Sequence, residues 1–272
     1  MTSSLSRPEG FRTYQKEELN SRELAEANSI YRVLNGSKLL GLSTPTSDTD
    51  EMGIFIEPLE YAVGFKTMDH YKYQTQPNGM RAGESDTEVT IYSLRKLLSL
   101  AMQGNPTVMC ILFVDPDSDA VREISPVGRE LLNISDAFVS QLAIPRFKGY
   151  LQSQTKRFKG ESKGHTPKRP ELVDQYGYDT KYAMHALRLG YQGTEIMRTG
   201  KLSIPMEDWV REILMDVREG KYSYDEVLDG LHVLEHEIEV EEKRCELPEQ
   251  PDIERLRNFT MSVHLNHWKI EG

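Results

Sequence analysis

Cysteine is scarce in this sequence, which contains 2 among 272 residues. Cys110 and Cys245 lie far apart and match no metal-ligand spacing, which argues against a disulfide framework and against a zinc site. No apolar run approaches the ~20 residues that a membrane-spanning helix needs. The first residues also lack the apolar core of a secretory signal. We therefore expect a cytoplasmic protein with no membrane partner.

Two common phosphate-binding motifs are also missing. The sequence contains no P-loop and no G-x-G-x-x-G, which weighs against an ATPase or kinase of those kinds. An excess of positive charge is missing too, because the formal net charge is −10. Binding of long nucleic acid by bulk electrostatics needs many Lys and Arg contacts to phosphate, so the negative net charge argues against that kind of binding. A small phosphate ligand is still compatible with this charge, since it needs only a local basic cluster.

Three stretches are predicted to be irregular. Residues 1–15 have little apolar content and are interpreted as a disordered lead. Asn78 and Gly79 are typical of a turn. The basic run 156–169 is interrupted by glycine and proline, and two interpretations of it are about equally favoured: a loop that faces substrate, or a solvated linker.

Residues 36–56 carry the first pattern with chemical content. Gly36 and Ser37 are followed by a turn-rich run, and then by Asp48 and Asp50 at the start of an apolar strand. Alternate residues of a strand share a face, so the two aspartates are predicted to point the same way. Neighbouring carboxylates repel unless a cation lies between them, and Mg²⁺ prefers such oxygen ligands. A Gly-Ser turn suits a phosphate, because glycine allows close approach of the backbone.

A plainer interpretation of the same residues stands beside this one. An Asp-x-Asp in a stretch rich in serine, threonine and proline is usually a loop with caps and turns. A metal site becomes the better hypothesis only through the joint pattern of Gly36-Ser37, ten intervening residues, and Asp48-x-Asp50 leading into a strand.

A second pattern lies in a predicted helix that begins near Thr180, which we expect to be its N-cap. Lys181, His185 and Arg188 follow at spacings of four and three, so they share one helix face. Three cationic or potentially cationic groups in a row repel one another, and a bound polyphosphate would relieve that repulsion. The alternatives are a solvated basic face and, for His185 alone, a hydrogen-bonded structural histidine.

Three blocks of this sequence resemble one known family in order. They are GSKLLGLSTPTSDTDEMGIF, YSLRKLLSLAMQGNPTVMCILF and GYDTKYAMHALRLGYQGTEIMRTGKL. They resemble the DNA polymerase beta nucleotidyltransferase superfamily, and within it the predicted nucleotidyltransferases associated with RNA ligase and RNA repair. The resemblance covers roughly residues 30–205. One departure is Cys110, which stands where that family usually has an acidic residue.

The resemblance implies a fold, a domain organisation and a third carboxylate. The implied fold is α+β, with a small mixed β-sheet in a nucleotidyltransferase core over residues 16–145 and a mostly helical part over residues 146–272. The active site would lie between the two parts. A third acid on the neighbouring strand would complete the metal site, with Glu88 as the first choice and Asp86 as the alternative.

The resemblance also implies an activity. Asp48, Asp50 and Glu88 would be the catalytic metal ligands, and Mg²⁺ or Mn²⁺ the cofactor. Gly36 and Ser37 would hold the β- and γ-phosphates of an NTP, and Lys181, His185 and Arg188 would complete the nucleotide site. The reaction would move an NMP from an NTP to an acceptor hydroxyl, with an RNA end as one candidate acceptor. Two alternatives stay open: a nucleotide-binding or regulatory module without turnover, and a transferase that modifies a protein or a small molecule. The sequence leaves the acceptor, the base and the oligomeric state open.

Overall fold

The computed structural model describes residues 21–77, 82–161 and 169–269. The predicted lead over residues 1–15, the predicted turn at Asn78 and Gly79, and positions 162–168 of the basic run lie outside the described residues. The described part contains one five-stranded mixed sheet and a series of helices. These observations confirm the predicted α+β class.

The strands follow one another through the first half of the chain. They are β1 (Ser29–Asn35), β2 (Thr49–Phe55), β3 (His70–Gln74), β4 (Thr87–Ser93) and β5 (Val121–Ile124). Their order in the sheet is β3-β4-β2-β1-β5. The central pair β2 and β4 is parallel, whereas the other neighbours are antiparallel. Because β2 and β4 are parallel, their first residues lie at the same edge of the sheet.

The helices flank the sheet and make up nearly all of the second half of the described chain. They are α1 (residues 21–27), α2 (Gly36–Leu40), α3 (Leu59–Ala62), α4 (Leu94–Met102), α5 (Pro106–Leu112), α6 (Pro126–Asn133), α7 (Ala143–Phe158), α8 (Pro170–Tyr176), α9 (Thr180–Thr199), α10 (Asp208–Arg218), α11 (Tyr224–Arg244) and α12 (Ile253–Trp268). Of the helices in residues 21–77, 82–161 and 169–269, none combines the length and the apolar character that a membrane crossing requires.

Helix α9 is the central element of the helical half. It packs against α7, α10 and α11, and its Ala183 and Leu187 are buried in the core. Gly190 brings it close to α11, since a Cβ at this position would lie 2.8 Å from Leu234. One hydrophobic cluster extends from the sheet into these helices. The predicted domain division after residue 145 falls inside α7, and that division stays a prediction.

Local capping explains where the helices near the site begin. The Ser93 hydroxyl accepts a hydrogen bond from the Lys96 N–H and so caps α4. The predicted cap of α9 is wrong by one residue, because Asp179 rather than Thr180 accepts hydrogen bonds from the first backbone N–H groups. An aspartate serves here because its two oxygens can cap the helix and also pair with a cation.

Candidate active site

Two of the predicted acids face each other across the central strand pair. Asp50 in β2 lies directly opposite Glu88 in β4. Asp48 precedes the first residue of β2 and lies close enough to Asp50 to perturb its charge. The structure therefore brings Asp48, Asp50 and Glu88 to one edge of the sheet. This arrangement depends on the parallel register of β2 and β4.

Asp86, the alternative third acid, belongs to a turn. Its carboxylate accepts hydrogen bonds from the Gly83 N–H at 2.9 Å and from the Thr75 hydroxyl at 2.8 Å. The Gly83 N–H and the Thr75 hydroxyl hold the pKa of Asp86 below its usual value. The carboxylate of Asp86 is thus engaged in local structure, whereas Glu88 is the acid beside Asp50.

The Asp50 carboxyl is electrostatically crowded. Burial raises its pKa to about 6, and the neighbouring charges of Asp48 and Glu88 act in the same direction, while Lys181 and Lys72 oppose the shift. The nearby lysines therefore do not fully offset the effects that disfavour ionised Asp50. A divalent cation bound at this edge would supply the missing positive charge.

Lys72 is a member of this region that the sequence patterns do not indicate. Its ammonium group in β3 forms an ion pair of 2.7 Å with Glu88.

Within the described ranges, no three His, Cys, Asp or Glu side chains are placed closely enough to hold a metal ion. The carboxylate oxygens at this edge nevertheless match the ligand type that Mg²⁺ and Mn²⁺ prefer.

Two independent constraints favour glycine at position 36. Its φ of +61° lies in the left-handed region, where a side chain is strained. A Cβ at this position would also lie only 2.5 Å from Asp50 Oδ2. Instead of a simple turn, Gly36 and Ser37 begin the short helix α2, directly after β1. The glycine therefore allows the backbone to pass beneath the Asp50 carboxylate.

Helix α9 supplies the opposite wall. Burial lowers the pKa of Lys181, and Arg169 lowers it further, whereas Asp48 and Asp50 favour its charged form. Burial lowers the pKa of His185 well below its usual value, and nearby Arg188 and Lys181 act in the same direction. His185 is consequently a neutral imidazole at pH 7, while Lys181 lies within electrostatic reach of the acids.

Two further cations, Arg169 and Arg218, lie beside the first turn of α9. Arg169 forms an ion pair with Asp179 at 3.1 Å and stacks over the Tyr182 ring. Arg218 at the end of α10 donates a hydrogen bond to the Thr180 hydroxyl. Arg169 is the last residue of the basic run 156–169, which the sequence analysis interprets as a loop or a linker. No local sequence pattern distinguishes Arg218 from any other helical arginine.

These two walls enclose a cleft of about 870 Å³. Its lining includes Ser37, Asp48, Glu88, Lys181 and His185. A smaller chamber of about 100 Å³ adjoins it and is lined by Gly36, Ser37, His185 and Arg188, among others. The cleft has the size of a small-molecule site, since such sites span about 300–1,000 Å³.

A comparison with known protein families identifies the family of the chain. The model of the RNA repair pathway DNA polymerase beta family matches residues 12–262 of the chain. The chain belongs to this family. Its membership confirms the resemblance inferred from the three sequence blocks, and it indicates a nucleotidyltransferase of the polymerase beta type. The RNA repair pathway DNA polymerase beta family match covers every strand described above.

Two individual proteins that are similar to this chain share low sequence identity with it. An uncharacterized 38.9 kDa protein in the nrdC-mobD intergenic region of Enterobacteria phage T4 is 24% identical over 123 residues. That alignment covers 45% of this chain and 36% of the phage protein, so it spans well under half of the relative's length. A solved nucleotidyltransferase-like protein from Exiguobacterium sibiricum 255-15 is 10% identical, with a TM-score of 0.30 over 84% of this chain and 75% of that one.

Proposed function

We propose that this protein moves an NMP from an NTP to an acceptor hydroxyl in a metal-dependent reaction that releases pyrophosphate. The observation that carries the proposal is the register that places Asp50 opposite Glu88, with Asp48 beside them. Lys181 faces these acids across a cleft that also exposes Ser37. Acidic ligands, a cationic wall and a glycine-serine turn are the parts that such a transfer requires.

Asp48, Asp50 and Glu88 would hold Mg²⁺ or Mn²⁺. Bound there, a divalent ion supplies Lewis acidity for the reacting phosphoryl oxygens and lowers the pKa of the attacking hydroxyl. The raised pKa of Asp50 supports this role. A carboxylate whose ionised form is disfavoured in the protein is stabilised most by a nearby cation. Lys72 partly neutralises Glu88 in the metal-free protein.

Gly36 and Ser37 would bind the phosphate chain of the donor, together with the α9 face. Lys181 offsets negative charge near the acids as the bond to the leaving pyrophosphate breaks. Neutral His185 orients phosphate by hydrogen bonding rather than by charge. Arg188 adds a planar guanidinium that can contact two phosphate oxygens at once.

An RNA end is the acceptor that we favour. The family description names an RNA repair pathway, and Arg169 and Arg218 add positive charge to the lining of the cleft. The net charge of −10 restricts phosphate binding to such local clusters. We therefore expect contacts to a few terminal phosphates and weak binding along the rest of a strand.

The test is a transfer assay with α-labelled NTPs, Mg²⁺ or Mn²⁺, and RNA, DNA or protein acceptors. The double variant Asp48→Ala with Asp50→Ala should lose labelling of every acceptor, and Glu88→Ala should lose most of it. Asp86→Ala is the matched control, because this nearby acid belongs to a turn, and it should retain labelling.

Each outcome of this assay separates one alternative. Labelling by the double variant would end the metal-dyad hypothesis. Tight NTP binding without any labelled acceptor would favour a nucleotide-binding module. Labelling of protein in preference to RNA would move the proposal to a protein-modifying transferase.

A further inference from the structure

The cleft lining contains a buried amide oxygen that the protein leaves without a hydrogen bond. It belongs to Gln76, which follows β3 and lines the cleft together with Ser37 and Glu88. Gln76 Oε1 is buried, and no residue in the described part of the chain donates a hydrogen bond to it. An unsatisfied buried oxygen destabilises a fold. Because its side chain lines the cleft, this oxygen indicates a ligand that donates a hydrogen bond there.

The sheet places Gln76 and Ser37 on opposite sides of the acids. Asp50 in β2 and Glu88 in β4 lie in the two middle strands of the row β3-β4-β2-β1, at the edge where β1 and β3 end. Ser37 is the second residue after β1, and Gln76 is the second residue after β3. Three strand spacings separate β1 from β3, which amounts to about 14 Å. The acids therefore lie between the two ends of this row.

This order separates the two substrates of the proposed transfer. The attacking and leaving oxygens lie roughly in line through the reacting phosphorus. The acceptor oxygen bonds to the α-phosphorus while the bond from that phosphorus to pyrophosphate breaks, and the hydroxyl proton passes to solvent. With the donor phosphates at Ser37 and the α-phosphorus at the acids, the acceptor approaches from the side of β3, where Gln76 lies.

We propose that the acceptor is a terminal ribose with two neighbouring hydroxyl groups. Its 3′-hydroxyl attacks at the acids, and its 2′-hydroxyl donates a hydrogen bond to Gln76 Oε1. This assignment rests on the proposed function and specifies its acceptor. Gln74 lies opposite Glu88, so the backbone of Gln76 is at most about 7 Å further along the chain. The 2′-hydroxyl suits this short reach, because it is the donor group nearest to the attacking oxygen, and it is the group that distinguishes RNA from DNA.

This role has a consequence that a structural glutamine would not have. Gln76→Leu keeps an apolar side chain of similar size and removes an oxygen that makes no hydrogen bond in the described structure. The melting temperature of the ligand-free variant should therefore equal or exceed that of wild type. A glutamine retained for structure would show the opposite, since its replacement would lower the melting temperature.

Transfer is measured with three oligoribonucleotides of one sequence that end in ribose, 2′-deoxyribose or 2′-O-methylribose. All three keep the attacking 3′-hydroxyl. In wild type, the two ends that cannot donate should have a kcat/KM about 10- to 100-fold below that of the ribose end, because Gln76 Oε1 stays unsatisfied. In Gln76→Leu, the kcat/KM values of the ribose and 2′-deoxyribose ends should agree within about threefold.

Two further variants isolate the hydrogen bond. Gln76→Glu keeps an accepting oxygen at the same distance along the side chain, so it should keep the preference for the ribose end whatever its overall rate. Gln152→Leu is the matched control, because Gln152 is exposed on α7 and does not line the cleft. Preference among ATP, GTP, CTP and UTP should be the same in wild type and Gln76→Leu. A changed preference would assign Gln76 to the donor base and overturn the proposal.

Binding separates this assignment from the proposed function. The same oligoribonucleotides are titrated in MgCl₂ with the α,β-methylene analogue of each NTP, because these analogues cannot release pyrophosphate. Tighter, Gln76-dependent binding of the ribose end without transfer from any NTP would refute the proposed function alone. Three results would overturn the acceptor assignment while transfer persists. They are equal kcat/KM for the three ends in wild type, an unchanged ratio in Gln76→Leu, and a lower melting temperature of ligand-free Gln76→Leu.

Discussion

Asp50 and Glu88 are direct neighbours across the parallel pair of β2 and β4, although 38 positions separate their residue numbers. In this register both carboxylates lie at one edge of the sheet, and the charge of Glu88 raises the energy of the ionised form of Asp50. The pKa of Asp50 reflects this crowding together with burial. Stability and metal binding should therefore both depend on the charge of Asp50.

The ligand-free protein should become more stable when Asp50 is made neutral. The pKa of Asp50 is about 6 in the folded protein against 3.8 ordinarily, so the folded state binds this proton more tightly. The free energy of unfolding should therefore fall as pH rises from about 4 to about 6. At pH 7.5 we expect Asp50→Asn to be more stable than wild type by about 1–2 kcal/mol, after allowing for solvent screening.

Urea unfolding at several pH values checks this expectation. The advantage of Asp50→Asn should vanish below about pH 4, where wild-type Asp50 is also protonated. Asp86→Asn is the control, because the Asp86 carboxylate accepts two hydrogen bonds. Its replacement should not raise the free energy of unfolding. Lower stability of Asp50→Asn at pH 7.5 would contradict the prediction.

Metal binding should depend on pH through the same carboxyl. A divalent ion competes with the proton on Asp50, so the apparent affinity for Mn²⁺ should fall by about 10-fold per pH unit below about pH 6. Mn²⁺ should raise the melting temperature of wild type at pH 7.5 and have little effect on Asp50→Asn. Titration by calorimetry or electron paramagnetic resonance measures the affinity. Equal affinity at pH 5 and pH 7.5 would argue against Asp50 as a ligand.

Gly36→Ala should impair transfer more than its effect on stability explains. The left-handed backbone at Gly36 destabilises an alanine by about 1–2 kcal/mol, and the new Cβ would also displace the Asp50 carboxylate. Gly177→Ala is the matched control, since Gly177 has a φ of +82° but a Cβ added there would have no heavy atom within 4 Å. Both variants should unfold at lower urea concentration, but only Gly36→Ala should lose transfer and Mn²⁺ affinity. Similar activity in the two variants would count against the contact.

Glu57 should be essential for the stability of the C-terminal helix. Its side chain is 1% exposed and accepts hydrogen bonds from Arg95 and pairs with His264 of α12. Removing one partner of a buried pair typically destabilises by about 3–5 kcal/mol, so Glu57→Ala should unfold far more easily than wild type. Glu60→Ala is the control, because the Glu60 side chain is 65% exposed and its distance from Lys66 is 4.0 Å. Comparable urea midpoints for the two variants would refute this role.

The pH dependence of this contribution has a definite direction. Burial alone would raise the pKa of Glu57, but hydrogen bonds from His264, the backbone and Ser93 outweigh it and lower the pKa to about 2. A lowered folded pKa stabilises the fold above the unfolded value of about 4.5, and this stabilisation is lost as pH falls towards about 2. Acid unfolding of wild type should therefore steepen in this interval, and Glu57→Ala should lack that component.

Much of the local structure follows from the order of residues alone. Helix α4 begins directly after Ser93, whose side chain caps it, and α12 runs from Ile253 to Trp268 after its cap Asp252. Such caps, and the apolar spacing of both helices, act within a few residues and can be recognised in the sequence. The same locality explains the error at α9, because Asp179 and Thr180 are adjacent and both are good caps.

The candidate site was predictable only in part. Asp48 and Asp50 are linked by strand alternation, and Lys181, His185 and Arg188 by helical spacing, so each group could be found within its own segment. Lys72 and Arg218 left no such pattern. Each of them reaches the site because its backbone element packs there, which no short window of sequence encodes.

The sequence by itself determined the elements, the family and the two local groups of acids and cations, because short-range periodicity and caps act within single segments. Tertiary structure alone decided that Glu88 lies beside Asp50, that Asp86 belongs to a turn, and that Arg188 lines a chamber whose described wall contains no acid. The physical reason is that strand register and helix packing set distances between residues far apart in the chain, and electrostatic energies depend on those distances.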